Sequence, residues 1–203
     1  MGLIVIEHLR IIITRMVAVG LLAFLLVSAS ALTQKAPLVG NALFLIGVVL
    51  VAGATLGRLW CSLFIAGYKT DTLITVGPYS MCRNPLYFFS LLGAVGVGLT
   101  TETLLIPAII LIAFAIYYPL VIKSEEAQLR TLHGSEFSDY QKAVPRFFPA
   151  LSRLVEPHDY LVKPRVYRKH MADVIWFFIL VGFLKVNQTL HASEMLPTLF
   201  WIY

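Results

Sequence analysis

A few charged side chains stand where an otherwise apolar chain has least reason to keep them. Arg83 lies inside Gly77-Pro78-Tyr79-Ser80-Met81-Cys82-Arg83-Asn84-Pro85-Leu86-Tyr87, a polar, turn-forming segment between two long apolar runs. Glu125 and Glu126 directly follow a later apolar run, and Tyr140 and Val144-Pro145-Arg146-Phe147-Phe148-Pro149 come soon after. Pro78 and Pro85 break helix, and Gly77 opens backbone conformations closed to other residues. Near bilayer depth, irregular backbone survives only where protein or a water-filled cavity satisfies it. A carboxylate pair can hold the cationic or hydroxyl groups of a cofactor; the plainer alternative is a solvated helix start capped by Ser124. An arginine can organise a loop through its five donors, or simply snorkel to the headgroups. Residue types alone leave both pairs of alternatives open.

Other chemistries lack their residues. The chain has no Gly-x-Ser-x-Gly, no His-Glu-x-x-His and no phosphate-binding glycine loop. The five histidines, at 8, 133, 158, 170 and 191, share no ligand spacing. Cys61 and Cys82 form no Cys-x-x-Cys and read as small apolar core residues. Hydrolysis by a metal or an activated serine is unsupported, and no metal ligand set is expected.

The elements that must position these residues are membrane helices. Of 203 residues, 59% are hydrophobic and 13% charged, against about 25% charged in a soluble domain. The net charge of +5 fits the basic bias of cytoplasmic membrane loops, and no basic stripe interleaved with aromatics points to nucleic acid. Apolar runs extend from Ile11 to about Leu32, Leu38 to about Ala66, Leu86 to Leu99, Leu104 to Ile122, and Met171 to Leu184 with a possible continuation to Leu190. The first, ending near Ala29-Ser30-Ala31, is expected to be a retained membrane helix. Gly53 and Gly57 make a Gly-xxx-Gly step, and Arg58 is expected to reach toward the headgroups. Only Thr100-Thr101-Glu102-Thr103 separates the third and fourth runs, which predicts a tight antiparallel hairpin. Thr101 or Thr103 is expected to cap the fourth helix, with Glu102 in its first turn. Residues 124–141 read as a separate helix interrupted near Gly134. The tail from Ala192 to Tyr203 is expected at the membrane interface.

The fold expected is therefore an all-α integral membrane protein with about five spans. It forms one domain over 1–203: an N-terminal membrane hairpin at 1–66, a core at 67–150, and a C-terminal segment with the last span at 151–203. Residues 123–170 carry nine Lys/Arg and six Asp/Glu, and Arg58, Lys69 and Arg83 flank the second loop. Lys35 and Glu102 are the sole charges of the intervening loops. This bias places the amino terminus, 67–84 and 123–170 in the cytoplasm, so the two polar blocks share a cytoplasmic face at the membrane boundary.

The two blocks, in this order, resemble the isoprenylcysteine carboxyl methyltransferase family. Tyr79, Arg83, Pro85 and Tyr87 stand as in its Gly-Pro-Tyr…Arg-His-Pro-x-Tyr segment. Glu125, Glu126, Leu129, Gly134, Tyr140, Pro145, Arg146 and Pro149 match its Glu-Glu-x-x-Leu-x-x-x-Phe-Gly…Tyr…Val-Pro-Arg-Phe-x-Pro segment. The resemblance covers roughly residues 68–150. It implies a membrane methyltransferase that uses S-adenosylmethionine and takes a lipid-like or hydrophobic acceptor from the bilayer. It implies cofactor contacts from Tyr79, Asn84, Pro85, Leu86, Tyr87, Glu125, Glu126 and Tyr140, with Arg83, Glu125 and Arg146 at the chemistry and Pro145–Pro149 closing over the site. Asn84 replaces the usual histidine, and Asn-Pro-x-Tyr also resembles the phosphatidylethanolamine methyltransferase branch, so carboxylate, amine and thiol acceptors all stay open. Val121 occupies a position where many of the carboxyl methyltransferases carry arginine. The sterol reductases, which use NADPH and are much longer, share the carboxyl-terminal blocks of this resemblance. A membrane scaffold that has lost activity is the non-enzymatic alternative, for which the departures at Asn84 and Val121 speak.

Overall fold

The computed structural model describes residue 20, residues 23–68 and residues 72–203. Most of the expected first span lies outside the described residues. Residues 23–26 are helical, but Ser28–Ser30 then form a short strand, β1, where the first run was expected to stay helical to about Leu32. A single turn, α1, follows at Ala31–Lys35, with Ser30 as its N-cap accepting from the Thr33 amide.

The body is a helical bundle: α2 at Pro37–Ile65, the one-turn α3 at Pro78–Met81, α4 at Pro85–Leu99, α5 at Leu105–Ala143 and α6 at Pro164–Ala192. Prolines open α2, α3, α4 and α6 within the first two positions, where the missing N–H would have had no helical partner. Among the described residues three helices, α2, α5 and α6, are long and apolar enough to cross a membrane. α4 is apolar but has 15 residues, about 22 Å, which falls short of a hydrocarbon core about 30 Å thick. Large apolar side chains face outward along the long helices, among them Leu45, Leu56, Ile116, Leu120, Trp176 and Phe178. In water that surface would be a liability; against lipid it is the solvent-matched face.

α2 and α4 pack most intimately. Their crossing is made by Gly47 and Gly96: a Cβ on Gly47 would lie 2.6 Å from the Gly96 carbonyl oxygen, so only glycine lets the backbones approach. The expected Gly53–Gly57 step is split, since Gly57 packs beneath Phe89 while nothing approaches Gly53.

The hairpin of α4 and α5 is present, but its link differs from expectation. Neither Thr101 nor Thr103 caps α5, whose N-cap is Leu104 without a side-chain bond. Thr101 Oγ1 instead donates to the Gly98 carbonyl and pairs with Thr103 Oγ1 at 2.8 Å. Glu102 lies outside the first turn of α5, at φ 59°, and is 2% exposed. Its carboxylate accepts from the Thr33 hydroxyl and lies 3.4 Å from Lys185 Nζ. The link is buried beneath the β1–α1 segment and α6, so its polar groups bond across the fold instead of capping locally.

α5 runs 39 residues without stopping at Ile122, so no second helix starts at Ser124. Charged residues continue a helix as readily as apolar ones, and no turn residue intervenes. The break expected near Gly134 is there, at φ 53° and ψ −119°. The last helix is longer than its apolar run at both ends. The tail forms a second strand, β2 at Phe200–Ile202, which pairs in parallel with β1. The described residues are thus mostly helical, with one two-stranded ribbon that local sequence did not announce.

Candidate functional site

The polar blocks meet at one end of the bundle. Gly77 takes a φ of 60°, and its amide donates to the Val155 carbonyl while the Val155 amide returns to Ser80 Oγ. Ala150 donates to the Met81 carbonyl, and Arg83 donates through its backbone to Pro145 at 2.8 Å. The Tyr140 hydroxyl donates to the Tyr79 carbonyl at 2.7 Å. Asn84 Nδ2 donates to the Arg146 carbonyl at 2.9 Å. The 77–87 loop is therefore zipped to the end of α5 and the segment after it, which satisfies the irregular backbone of both.

Arg83 and Glu126 are the clasp of this zipper. Arg83 Nε donates to Glu126 Oε1 at 2.9 Å, and Arg83 Nη1 donates to the carbonyls of Gln141 and Val144. Both side chains are about nine-tenths buried. Arg146 Nε approaches Glu126 Oε2 at 3.5 Å from a half-exposed position. Arg83 therefore organises the loop rather than snorkelling, and Glu126 lies mid-helix, far from any helix start.

Next to the clasp is a cavity of about 160 Å³, lined among others by Tyr79, Arg83, Asn84, Leu86, Tyr87, Glu125 and Tyr140. Seven of the residues marked by sequence thus converge on one space. Pro85, Glu126 and Arg146 are not in its wall; Pro85 starts α4 behind it. Glu125 is engaged with Tyr87, whose hydroxyl it accepts. The Tyr79 hydroxyl oxygen is buried without a hydrogen-bond partner among the described residues. Burial, with nearby acidic groups adding to it, holds this phenol neutral well above its ordinary range. Burial also pushes the Cys82 thiol up to about 11, against the opposing pull of the Asn84 amide.

Sequence reading missed part of the wall. Gln128 and Leu132 line the cavity three and seven residues after Glu125, so helical periodicity along α5 would have found them. Ile65 and Thr72–Ile74 carry no such signal. An aromatic layer lies on the bundle side. Tyr118 meets Tyr87 edge-on at 5.1 Å and stacks on Phe114 at 3.7 Å. Phe147 joins Phe88 and Phe114, so the 145–149 segment packs onto the helices without entering the cavity wall.

The family model for phospholipid methyltransferases matches residues 36–136, a range that opens at α2 and includes the loop, α4, the link and most of α5. The chain belongs to the phospholipid methyltransferase family. It is similar to two bacterial proteins. It is 41% identical over 160 residues to the nickel-cobalt-cadmium resistance protein NccN of Alcaligenes xylosoxydans xylosoxydans, covering 79% of this chain and 75% of that one. It is 41% identical over 189 residues to the cobalt-zinc-cadmium resistance protein CzcN of Cupriavidus metallidurans, covering 92% and 85%. No solved structure matches the chain. Among the described residues, no three His, Cys, Asp or Glu side chains come together as a metal site.

Proposed function

We propose that this phospholipid methyltransferase family member binds S-adenosylmethionine in the cavity between the two polar blocks. We further propose that it passes the methyl to an amphiphilic acceptor presented from the bilayer, and that the site faces the cytoplasm, as the basic loops at this end favour. The observation that carries this reading is the convergence of Tyr79, Asn84, Leu86, Tyr87, Glu125 and Tyr140 on one cavity.

The donor set fits such a cofactor. Glu125 and the faces of Tyr79 and Tyr87 suit a cationic group, and the orphaned Tyr79 hydroxyl offers a hydrogen bond. A pocket for a drug-sized ligand holds about 300–1,000 Å³. At about 160 Å³ this cavity would hold only part of such a cofactor. When bound, S-adenosylmethionine supplies an electrophilic methyl. Tyr87 and Glu125 orient the ligand, the aromatic layer of Tyr118, Phe114 and Phe147 excludes water, and Arg83 with Glu126 and Arg146 holds the two blocks in register. Metal resistance is in the names of NccN and CzcN; for this chain we place any such role in the methylated product.

Titration calorimetry in detergent with S-adenosylmethionine and S-adenosylhomocysteine tests the reading. Binding of both is expected, weakened in Glu125→Gln. Absence of binding by folded protein would reject it, and binding of NADPH instead would favour the reductase alternative.

A further inference from the structure

Arg58 is the charged side chain that the proposed site leaves unexplained. It stands on α2 seven residues before Ile65, about 10 Å along the axis from the helix end. α2 is about 44 Å long, so a hydrocarbon core about 30 Å thick centred on it places Arg58 just inside its boundary. An arginine there keeps its charge, at a cost that such residues normally offset by pairing. Arg58 does not reach out to the headgroups as expected. Its Nη1 is held sideways by Ser90 Oγ on α4, and its guanidinium lies 5.8 Å from the centre of the Phe177 ring on α6. Among the described residues a hydroxyl and an aromatic ring are what hold the charge: Arg58 Nε is buried without a hydrogen-bond partner there, and no described carboxylate pairs with the guanidinium. The embedded Glu102, by contrast, has Lys185 and Thr33.

The position of this charge connects it to the cavity. Ser90 donates to the Leu86 carbonyl one turn away, and Leu86 lines the cavity. Ile65, two turns from Arg58 on the same face of α2, lines it too. Arg58 is therefore on the bilayer side of the cavity, offset from it by one to two helical turns.

We infer that Arg58 is a binding residue for an anionic group, a phosphate or a carboxylate, carried by the amphiphile that receives the methyl. The inference rests on the methyl-transfer reading of the cavity. The acceptor then has its nucleophilic atom at the cavity and an acidic group one to two helical turns toward the membrane. A wholly neutral amphiphile would leave the guanidinium unpaired.

Native mass spectrometry of delipidated protein in detergent tests this with two chain-matched pairs of probes: dioleoylphosphatidylglycerol against dioleoylglycerol for a phosphate, and oleate against oleyl alcohol for a carboxylate. The first adduct of an anionic probe is expected to bind about tenfold tighter than that of its neutral counterpart, which is 1.4 kcal/mol. A larger preference in the phospholipid pair assigns a phosphate, and in the oleate pair a carboxylate. Arg58→Gln should remove the anionic preference, and Arg58→Lys should keep part of it. Ser90→Ala, which loosens the guanidinium without removing it, should weaken the first adduct about threefold and serves if Arg58→Gln does not fold. The double variant Arg165→Gln/Arg168→Gln, at the start of α6, should reduce later adducts only. Persistence of the preference in Arg58→Gln, or its loss in the double variant alone, would overturn the inference. Titration of S-adenosylhomocysteine into Arg58→Gln should match wild type. If wild type binds no S-adenosylhomocysteine yet shows an Arg58-dependent adduct, the methyl-transfer reading fails while the anion site stands.

Discussion

The two ends of the bundle solve the same problem and reach different results. Each must fix non-helical chain against apolar helices, and each does so around a buried carboxylate. At one end Glu126 gathers Arg83 and Arg146; at the other Glu102 gathers Thr33 and Lys185. The larger cavity, about 590 Å³, is at the Glu102 end, where Ser28, Asn187 and His191 are in its wall. Asn187 and His191 there spend hydrogen bonds on the backbone of Leu25 and Leu26. Both cavities have an acidic side chain in the wall and buried polar atoms without partners among the described residues, Ser28 Oγ, Asn187 Oδ1 and Gln188 Oε1 at the larger and the Tyr79 hydroxyl at the smaller. What sets the smaller apart is its tyrosines and the motif residues of the two polar blocks. The comparison teaches that residue chemistry, more than volume, separates a candidate site from a gap between packed elements.

Breaking the clasp at each end is the strongest test of that contrast. Arg83→Ala leaves Glu126 buried with only the half-exposed Arg146 as a charged partner. It should lower unfolding stability in detergent by roughly 3–5 kcal/mol, read as a fall in thermal midpoint, and abolish cofactor binding along with it. A change in binding without a change in stability would move Arg83 from the clasp to the ligand. Glu125→Gln should separate the two effects. Cofactor affinity should drop by roughly 1.5–3 kcal/mol in calorimetry while the melting curve stays near wild type. Equal loss of stability would make Glu125 a second clasp residue.

Which of these features could be read from the chain depends on how far apart the partners are. Arg83, Asn84, Pro85 and Tyr87 lie within five residues, and Glu125 and Glu126 are adjacent, so both blocks were legible from local type and spacing. The long apolar helices were legible from hydropathy. Glu102 was misread as a first-turn residue because its partners, Thr33 and Lys185, are 69 and 83 residues away. The continuity of α5 through Lys123 was missed because a change in polarity was taken for a change in structure. The turn to Ser90 and Phe177 was not legible at Arg58, since it depends on three helices meeting.

The smaller predictions concern the opposite end and the thiols. Glu102→Gln should cost about 1–2 kcal/mol of stability, because Lys185 is half exposed and water screens the pair. It should leave S-adenosylhomocysteine binding at the wild-type value; a coupled loss would mean that the two ends are not independent. The least effect is expected from thiol reagents. With the Cys82 thiol at about 11 and the side chain fully buried, iodoacetamide at pH 8 should leave it unmodified in folded protein. Alkylation should rise as pH climbs toward 11, or on unfolding. Prompt labelling at pH 8 would show that the 77–87 loop opens.

The β1–β2 ribbon sets an order on assembly. Ser28 pairs with Phe200, and the Leu105 amide at the head of α5 donates to the carbonyl of Tyr203. A membrane protein is inserted as it is made, so α2, α4 and α5 enter the bilayer before their last fastening exists. Until β2 emerges, β1 is an unpaired edge and α5 an uncapped helix, open to wrong partners. The end of the molecule that holds no candidate chemistry thus decides when the helix bearing Glu125 and Glu126 is finally locked. Loss of residues 200–203 should appear as slow maturation and early degradation of the newly made chain, ahead of any change in the affinity of those molecules that do mature.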